Sequence, residues 1–224
     1  MIRIKFQQSL DELKERLLVM AGLVEQAIQR ATEAYTSRDE SLCELVKMSE
    51  PAINRMEREI DQLALDLLAM EQPMAVDLRF IISVIRINVD LERMGDQAVN
   101  IAGRVLDLGR QANVDLPVDI PRLALLSAAM VRKALQAFIE GDAEMAQSVL
   151  MLDDQVDDMN RDAFRALGDL IKDKPELAAQ ALNALIISRN LERVGDHATN
   201  IAEDVIFWVR GRDVRHHSLP DDGD

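Results

Sequence analysis

Aromatic residues make up only 3% of the 224-residue chain, and cysteine occurs once. The lone Cys43 excludes an internal disulfide framework and a Cys-rich zinc site, and it fits a reducing compartment. Basic residues are outnumbered, 26 against 40 acidic, for a formal charge of −14. So negative a chain lacks the basic surface that displaces phosphate counterions, which argues against nucleic-acid binding. It does not favour docking on anionic lipid either. No apolar run approaches the roughly 18–20 residues needed to cross a bilayer. The start, Met1-Ile-Arg-Ile-Lys5, leads straight into charged amphipathic sequence rather than a secretory signal. A cytoplasmic protein is expected, with any membrane association only indirect, through partners.

What is abundant is apolar residues, at 48%, ample for a core. Leu, Ala, Met, Glu, Asp and Arg dominate, a helix composition. Glycine (nine) and proline (six) fall at intervals that divide the chain into long segments. We read six helices, at about 4–37, 40–70, 75–110, 121–140, 143–173 and 176–210. Gly141-Asp142 resembles a helix C-cap followed by an N-cap, and Pro117 and Pro121 frame a polar linker. Pro51 should kink the second helix or shift its start. Cys43 reads as an inert packing residue. Helices of some 30 residues are about 45 Å long, and short turns between them make antiparallel bundles. The expected fold is all-α, two pseudo-symmetric antiparallel three-helix bundles. Repeat one spans 1–111, repeat two 121–210, and 211–224 is expected to be a flexible tail.

The division rests on an internal repeat. Asp90-Leu-Glu-Arg-Met-Gly-Asp-Gln-Ala-Val-Asn-Ile-Ala102 recurs as Asn190-Leu-Glu-Arg-Val-Gly-Asp-His-Ala-Thr-Asn-Ile-Ala202, at an offset of 100, with nine of thirteen positions identical. Upstream, Glu50-Pro-Ala-Ile-Asn-Arg-Met56 pairs more weakly with Asp153-Asp-Gln-Val-Asp-Asp-Met159, at an offset of 103. On a helical wheel Arg79, Arg86, Asp90, Arg93, Gln97 and Arg104 share one side, the expected solvated face. Glu92 and Asp96 lie instead on the stripe with Leu78, Ile81, Ile85, Val89 and Val99, and Asn100 lies at its edge. In the second copy Glu192, Asp196, Asn200 and Glu203 track one line. Acids on an apolar stripe are costly unless something pairs with them. The compensation is a cation held by carboxylate and amide oxygens, or arginines such as Arg93, Arg189 and Arg193, or an exposed groove. Asp153 and Asp157 in the fifth helix are further candidate ligands, toward the apolar side near Phe164. Asp154 and Asp158 face water. In the second helix the equivalents are Glu50 and Asn54, with Glu57 and Asp61 nearby. His216-His217 is a weaker metal candidate.

The Glu-x-x-His pairs of di-iron bundles are absent, as are a P-loop, a dinucleotide-binding glycine turn and a Gly-x-Ser-x-Gly elbow. No catalytic residue is assigned, and the chain reads as a non-enzyme.

The paired Leu-Glu-Arg-(Met/Val)-Gly-Asp-x-Ala-x-Asn-Ile-Ala motifs, with Gln72-Pro-Met-Ala-Val-Asp-Leu-Arg79 ahead of the first, resemble the PhoU family of phosphate-signalling regulators. The resemblance runs through Phe207-Trp-Val-Arg-Gly-Arg-Asp-Val-Arg-His216. It implies an accessory protein of the Pst phosphate ABC transporter that represses the phosphate-starvation response. The implied partners are the transporter's ATPase subunit and the sensor histidine kinase, and a homodimer is expected. Some members of the family carry metal clusters at Glu/Asp-x-x-x-Asp motifs, which implies a divalent or ferric ion at Glu92, Asp96, Glu192 and Asp196, followed by Asn100 and Asn200. The second copy departs from the pattern upstream, where Lys174-Pro-Glu-Leu-Ala-Ala replaces the Gln-Pro signature. Two other readings stand beside the adaptor. One is a carboxylate-rich metal-binding bundle with storage or hydrolytic activity; the other is a scaffold whose acids merely pair with arginine.

Overall fold

Residues 2–70 and 73–214 are described by a computed structural model. His216, His217 and Gln72 lie outside the described residues, as does most of the expected tail. Six α-helices account for most of the described residues: α1 (Ile2–Ser37), α2 (Glu40–Met70), α3 (Ala75–Gly109), α4 (Ile120–Glu140), α5 (Ala143–Asp173) and α6 (Ala178–Arg210). A 3-10 turn, Pro175–Leu177, precedes α6. No strand occurs among the described residues.

Local chemistry sets the boundaries. Asp119 caps α4 by accepting from the Arg122 backbone N–H at 3.0 Å. Gly141 ends α4 with φ 64° and ψ 36°, a left-handed conformation that only glycine adopts without strain. Asp142 then caps α5 through the backbone N–H groups of Glu144 and Met145. Pro51 does not shift the start of α2, which runs without interruption from Glu40 to Met70. Proline has no N–H to offer Lys47, and its ring is exposed to water. Cys43 is buried, as expected, and burial pushes its thiol pKa up, which keeps it unreactive.

Helices α1, α2 and α3 pack on one another, as do α4, α5 and α6, and α3 lies along α6. The α3–α6 pair is antiparallel. Arg79 Nε donates to the Trp208 carbonyl, Ser83 Oγ to the Asp204 carbonyl, and Asp90 meets His197. One continuous apolar core draws on all six helices, including Leu13, Leu17, Ile53, Ile87, Met94, Phe138, Val194 and Ile201. Phe80, Phe138 and Trp208 form an aromatic cluster at one end, with centroids 5.1–5.9 Å apart. At the other, linker residues Leu116 and Val118 cover a small second cluster around Leu167, Ala181 and Ala184.

The α3–α6 seam corrects one expectation. The side of α3 expected to face water is partly buried: Asp90 is 7% exposed and Gln97 9%. Ser83, Ile87, Asp90, Met94, Gln97 and Ile101 are all buried, at alternating spacings of four and three. That second seven-residue stripe packs on α6. A buried carboxylate needs a partner, and His197 Nδ1 supplies one at 2.8 Å. Arg86 likewise pairs across the seam with buried Asp204 at 3.1 Å and stacks over Phe207.

The repeat is visible in packing as well as in sequence. A Cβ on Gly95 would lie 3.2 Å from Ile53, and one on Gly195 3.2 Å from Val156. These residues are related by the same offsets, 100 and 103, as the sequence repeat. In contrast, nothing lies within 4 Å of a Cβ on Gly168. Gly195→Val should therefore lower the urea-unfolding free energy by about 1–3 kcal/mol through overpacking. Gly168→Ala should raise it by about 0.5–1 kcal/mol.

Candidate functional site

At Gly195, α6 lies against Val156 of α5 with too little room for a Cβ unless a neighbour shifts. The residues beside it are acidic: Asp157 follows Val156, and Asp196 follows Gly195. Asp153 stands one turn before Asp157. One carboxylate oxygen from each of Asp153, Asp157 and Asp196 falls within 4.8 Å of the others. Glu192, one turn before Asp196, is 8% exposed and borders the group. Arg189 Nη1 donates to Glu192 Oε1 at 2.5 Å, while Glu192 Oε2 and Asp153 Oδ1 are buried with no hydrogen-bond partner.

Electrostatics record the strain of this arrangement. Burial, then Asp157 and Asp196, pushes the Asp153 carboxyl up to about 6. Burial and Asp196 push Glu192 up to about 6, against Arg189. Burial and Asp157 raise Asp196 as well, opposed by Arg189, His197 and Arg193. Hard oxygen donors, two of them orphaned, fit a hard or borderline cation, whose charge would replace the missing partners.

The first half holds a looser version. Burial, Asp96 and Glu57 raise Glu92, and Glu50 adds to them. Burial and Asp61 raise Glu57. Asn88 Nδ2 ties this group together by donating to Asp61 Oδ1 and to the Glu57 carbonyl, each at 2.9 Å. The second half has Asn160 where the first has Glu57, and Ser188 Oγ donates to its Oδ1 at 2.8 Å. Asn54 stands where the second half has Asp157, so the first half lacks that carboxylate.

The structure thus gathers Asp153, Asp157 and Asp196, with Glu192 beside them, and places Glu92 next to Asp96. Asn200 goes elsewhere: its Nδ2 donates to Asp90 Oδ1 at 3.1 Å, across the α3–α6 seam. Asn100 is exposed, and Glu203 is half-buried on α6; neither joins the converging carboxylates. Asp154 and Asp158 face water, and Phe164 is exposed rather than packed beside the acids. Glu57 and Asp61 lie closer to the first group than the sequence alone argued. Their signal was a Glu-x-x-x-Asp spacing on the helix facing the repeated motif.

Comparison with known proteins agrees with this architecture. The PhoU domain family matches residues 17–105 and again 120–205. A phosphate-specific transport system accessory protein PhoU homolog from Pseudomonas aeruginosa is 39% identical over 216 residues, 96% of this chain and 89% of that protein. The Aquifex aeolicus protein of the same description is 34% identical, covering 99% of this chain and all of its own. The crystal structure of PhoU from Pseudomonas aeruginosa superposes with a TM-score of 0.88 at 38% identity, over 92% of this chain and all of that one. That of the phosphate transport system regulatory protein PhoU from Streptococcus pneumoniae gives 0.86 at 31%, over 94% of this chain and all of that one. The chain belongs to the PhoU family.

The raised carboxyls give a pH test with a definite sign. Asp153 and Glu192 start from 3.8 and 4.5 and rise to about 6 in the folded state. Between those limits the folded state binds more protons than the unfolded one, so these groups make stability fall as pH rises. Thermal melts of chelator-treated protein should show this loss between about pH 4.5 and 7. The Asp153→Asn, Glu192→Gln variant should flatten that slope relative to the parent.

Proposed function

We propose that this protein is a regulatory accessory protein of phosphate transport, acting by binding partners rather than by catalysis. The observation that carries the reading is end-to-end similarity to proteins described as phosphate-specific transport system accessory proteins. The finer reading is a cytoplasmic adaptor built of two duplicated units, 1–111 and 121–210. It contacts the ATPase subunit of the phosphate ABC transporter and the phosphate sensor histidine kinase, and holds the starvation response off when phosphate is plentiful. An acidic body suits basic patches on such partners. Among the described residues no helix is long and apolar enough to cross a membrane. Any membrane location therefore runs through the partners in this reading.

A metal ion is part of the same proposal. Asp153, Asp157, Asp196 and Glu192 would hold a divalent or ferric ion, with Glu92 and Asp96 forming a weaker second site. Bound there, the ion supplies positive charge that cancels the clustered acids. The residues themselves position carboxylate oxygens and exclude part of the solvent around Glu192 and Asp153. Storage or hydrolytic chemistry at this cluster is the second reading, favoured only by the convergence of three carboxylates.

Deletion of the gene should switch on alkaline phosphatase expression in high phosphate, and the intact chain should restore repression. Expression that stays repressed in the deletion strain would end the regulator reading. Elemental analysis of purified protein should find metal lost in Asp153→Asn, Asp196→Asn. Phosphatase turnover abolished by Asp196→Asn would favour the second reading.

A further inference from the structure

Phe164 of α5 takes no part in the carboxylate cluster and stands 64% exposed, and Ile186 of α6 stands 40% exposed. The two helices run antiparallel here, since Asn160 accepts from Ser188 and Val156 meets Gly195. Between them lies an open cavity of about 430 Å³, walled by Asn160, Arg161 and Phe164 on α5 and by Leu185, Ile186 and Arg189 on α6. Leu185, partly buried against Leu167, Ala181 and Ala184, forms its base. Leu182, exposed one turn before Ile186, carries the apolar strip further along α6. Apolar side chains left in water around a concave base mark an interaction surface.

The groove is a departure from the repeat. At the offsets of 103 and 100, Phe164 corresponds to Asp61, Ile186 to Arg86 and Arg189 to Val89. Asp61 accepts from Asn88, and Arg86 is drawn across the seam to Asp204. Charged groups with internal partners thus occupy, in the first half, the places where the second half exposes Phe164 and Ile186. The shared fold does not require an apolar residue at either place.

The walls also set the sign of the occupant. Both charged residues lining the cavity are arginines, on a chain whose formal charge is −14. Each spends one terminal nitrogen on an acid of its own helix: Arg161 Nη2 on Asp158, and Arg189 Nη1 on Glu192. A guanidinium has five N–H donors, so both arginines keep donors for an incoming carboxylate. Exposed pairs such as Arg161–Asp158 contribute little and yield easily. A membrane surface fits less well. It is flat where the groove is concave, and its phosphates would meet exposed Asp158 and Asp162 on α5.

We propose that the α5–α6 groove is a docking site for an acidic amphipathic segment of a partner protein. Its apolar side chains seat between Phe164 and Ile186, and its carboxylates reach Arg161 and Arg189. This is the helix-in-groove mode of recognition, with charge at the rim fixing which segments fit. The proposal rests on the groove and its arginines, so it stands or falls separately from the phosphate and metal readings.

Fluorescence anisotropy on the full chain tests it, with a labelled helix-forming peptide of about fifteen residues that carries Leu at spacings of three and four and Glu on both sides of that stripe. The parent should bind this peptide, and bind a peptide with Lys in place of Glu roughly tenfold or more weakly. Phe164 and Ile186 are already in water, so Phe164→Ser and Ile186→Ser spare the core; each should weaken the Glu peptide roughly tenfold. Circular dichroism checks the fold of each variant. Arg161→Glu, which leaves the carboxylate cluster intact, should weaken the Glu peptide and strengthen the Lys peptide. A Glu peptide that fails to bind the parent at millimolar concentration would overturn the proposal. So would binding that survives both Ser substitutions, or that ignores the charge at position 161. Binding of anionic vesicles lost in Phe164→Ser would hand the groove to lipid, and a sedimenting mass that falls in that variant would hand it to a second copy; either result also overturns the proposal.

Discussion

Two glycines set the distance between the helices that carry the acids. Gly95 lets α3 close onto Ile53 of α2, and Gly195 lets α6 close onto Val156 of α5. In the second half, the residues flanking that contact are Asp157 and Asp196, so apolar packing and charge convergence are one event. Burial of a large apolar side chain contributes about 1.5–3 kcal/mol. Two unit charges some 5 Å apart repel by roughly 3 kcal/mol at an effective dielectric near 20. One such contact therefore offsets one such repulsion and no more. Three carboxylates must take up protons or find positive charge; Arg189 hydrogen-bonds Glu192 and, with His197 and Arg193, only partly offsets the rise at Asp196. The rest of the site follows from that imbalance.

The seam between halves solves the same problem differently. Across the α3–α6 seam Asp90 and Asp204 each have a partner from the opposite half: His197 and Asn200 for Asp90, Arg86 for Asp204. The repeat is broken there in a compensating way. Where the first half has Asp90, the second has Asn190, and where the second has His197, the first has Gln97. A single charge-capable pair thus replaces two, and the counterpart is neutral. Asn190 satisfies itself locally by donating to the Ile186 carbonyl. Paired acids at the seam hold the halves together, while unpaired acids on α5–α6 stay available.

Helix boundaries were legible because caps and breakers act locally. Gly141-Asp142 stops one helix and starts the next by backbone conformation and side-chain acceptance alone. The repeated motif was legible because identity needs no geometry. What one sequence hid was the second apolar stripe of α3. A wheel sorts residues by polarity, and Asp90 and Gln97 read as solvated until α6 is laid against them. Their spacing with Ile87, Met94 and Ile101 carried the clue. Asn200 was misplaced for the same reason, since it faces a helix from the other half. Asp153 and Asp157 were visible only as weaker candidates, because nothing local says that Val156 touches Gly195.

The continuous core limits how the two halves can move against each other. All six helices share one apolar interior, and Arg86, Asp90, His197 and Asp204 bridge the halves. A close-packed interior resists graded deformation, so opening one half against the other would expose buried charge. Change at the carboxylate cluster is therefore best transmitted as charge. Protonation of these carboxyls alters the local field on α5–α6. The formal −14 of the chain counts every acid as bare, yet Asp153 and Glu192 are held near 6. The charge this face presents therefore depends on the protonation of the cluster and falls short of the formal count.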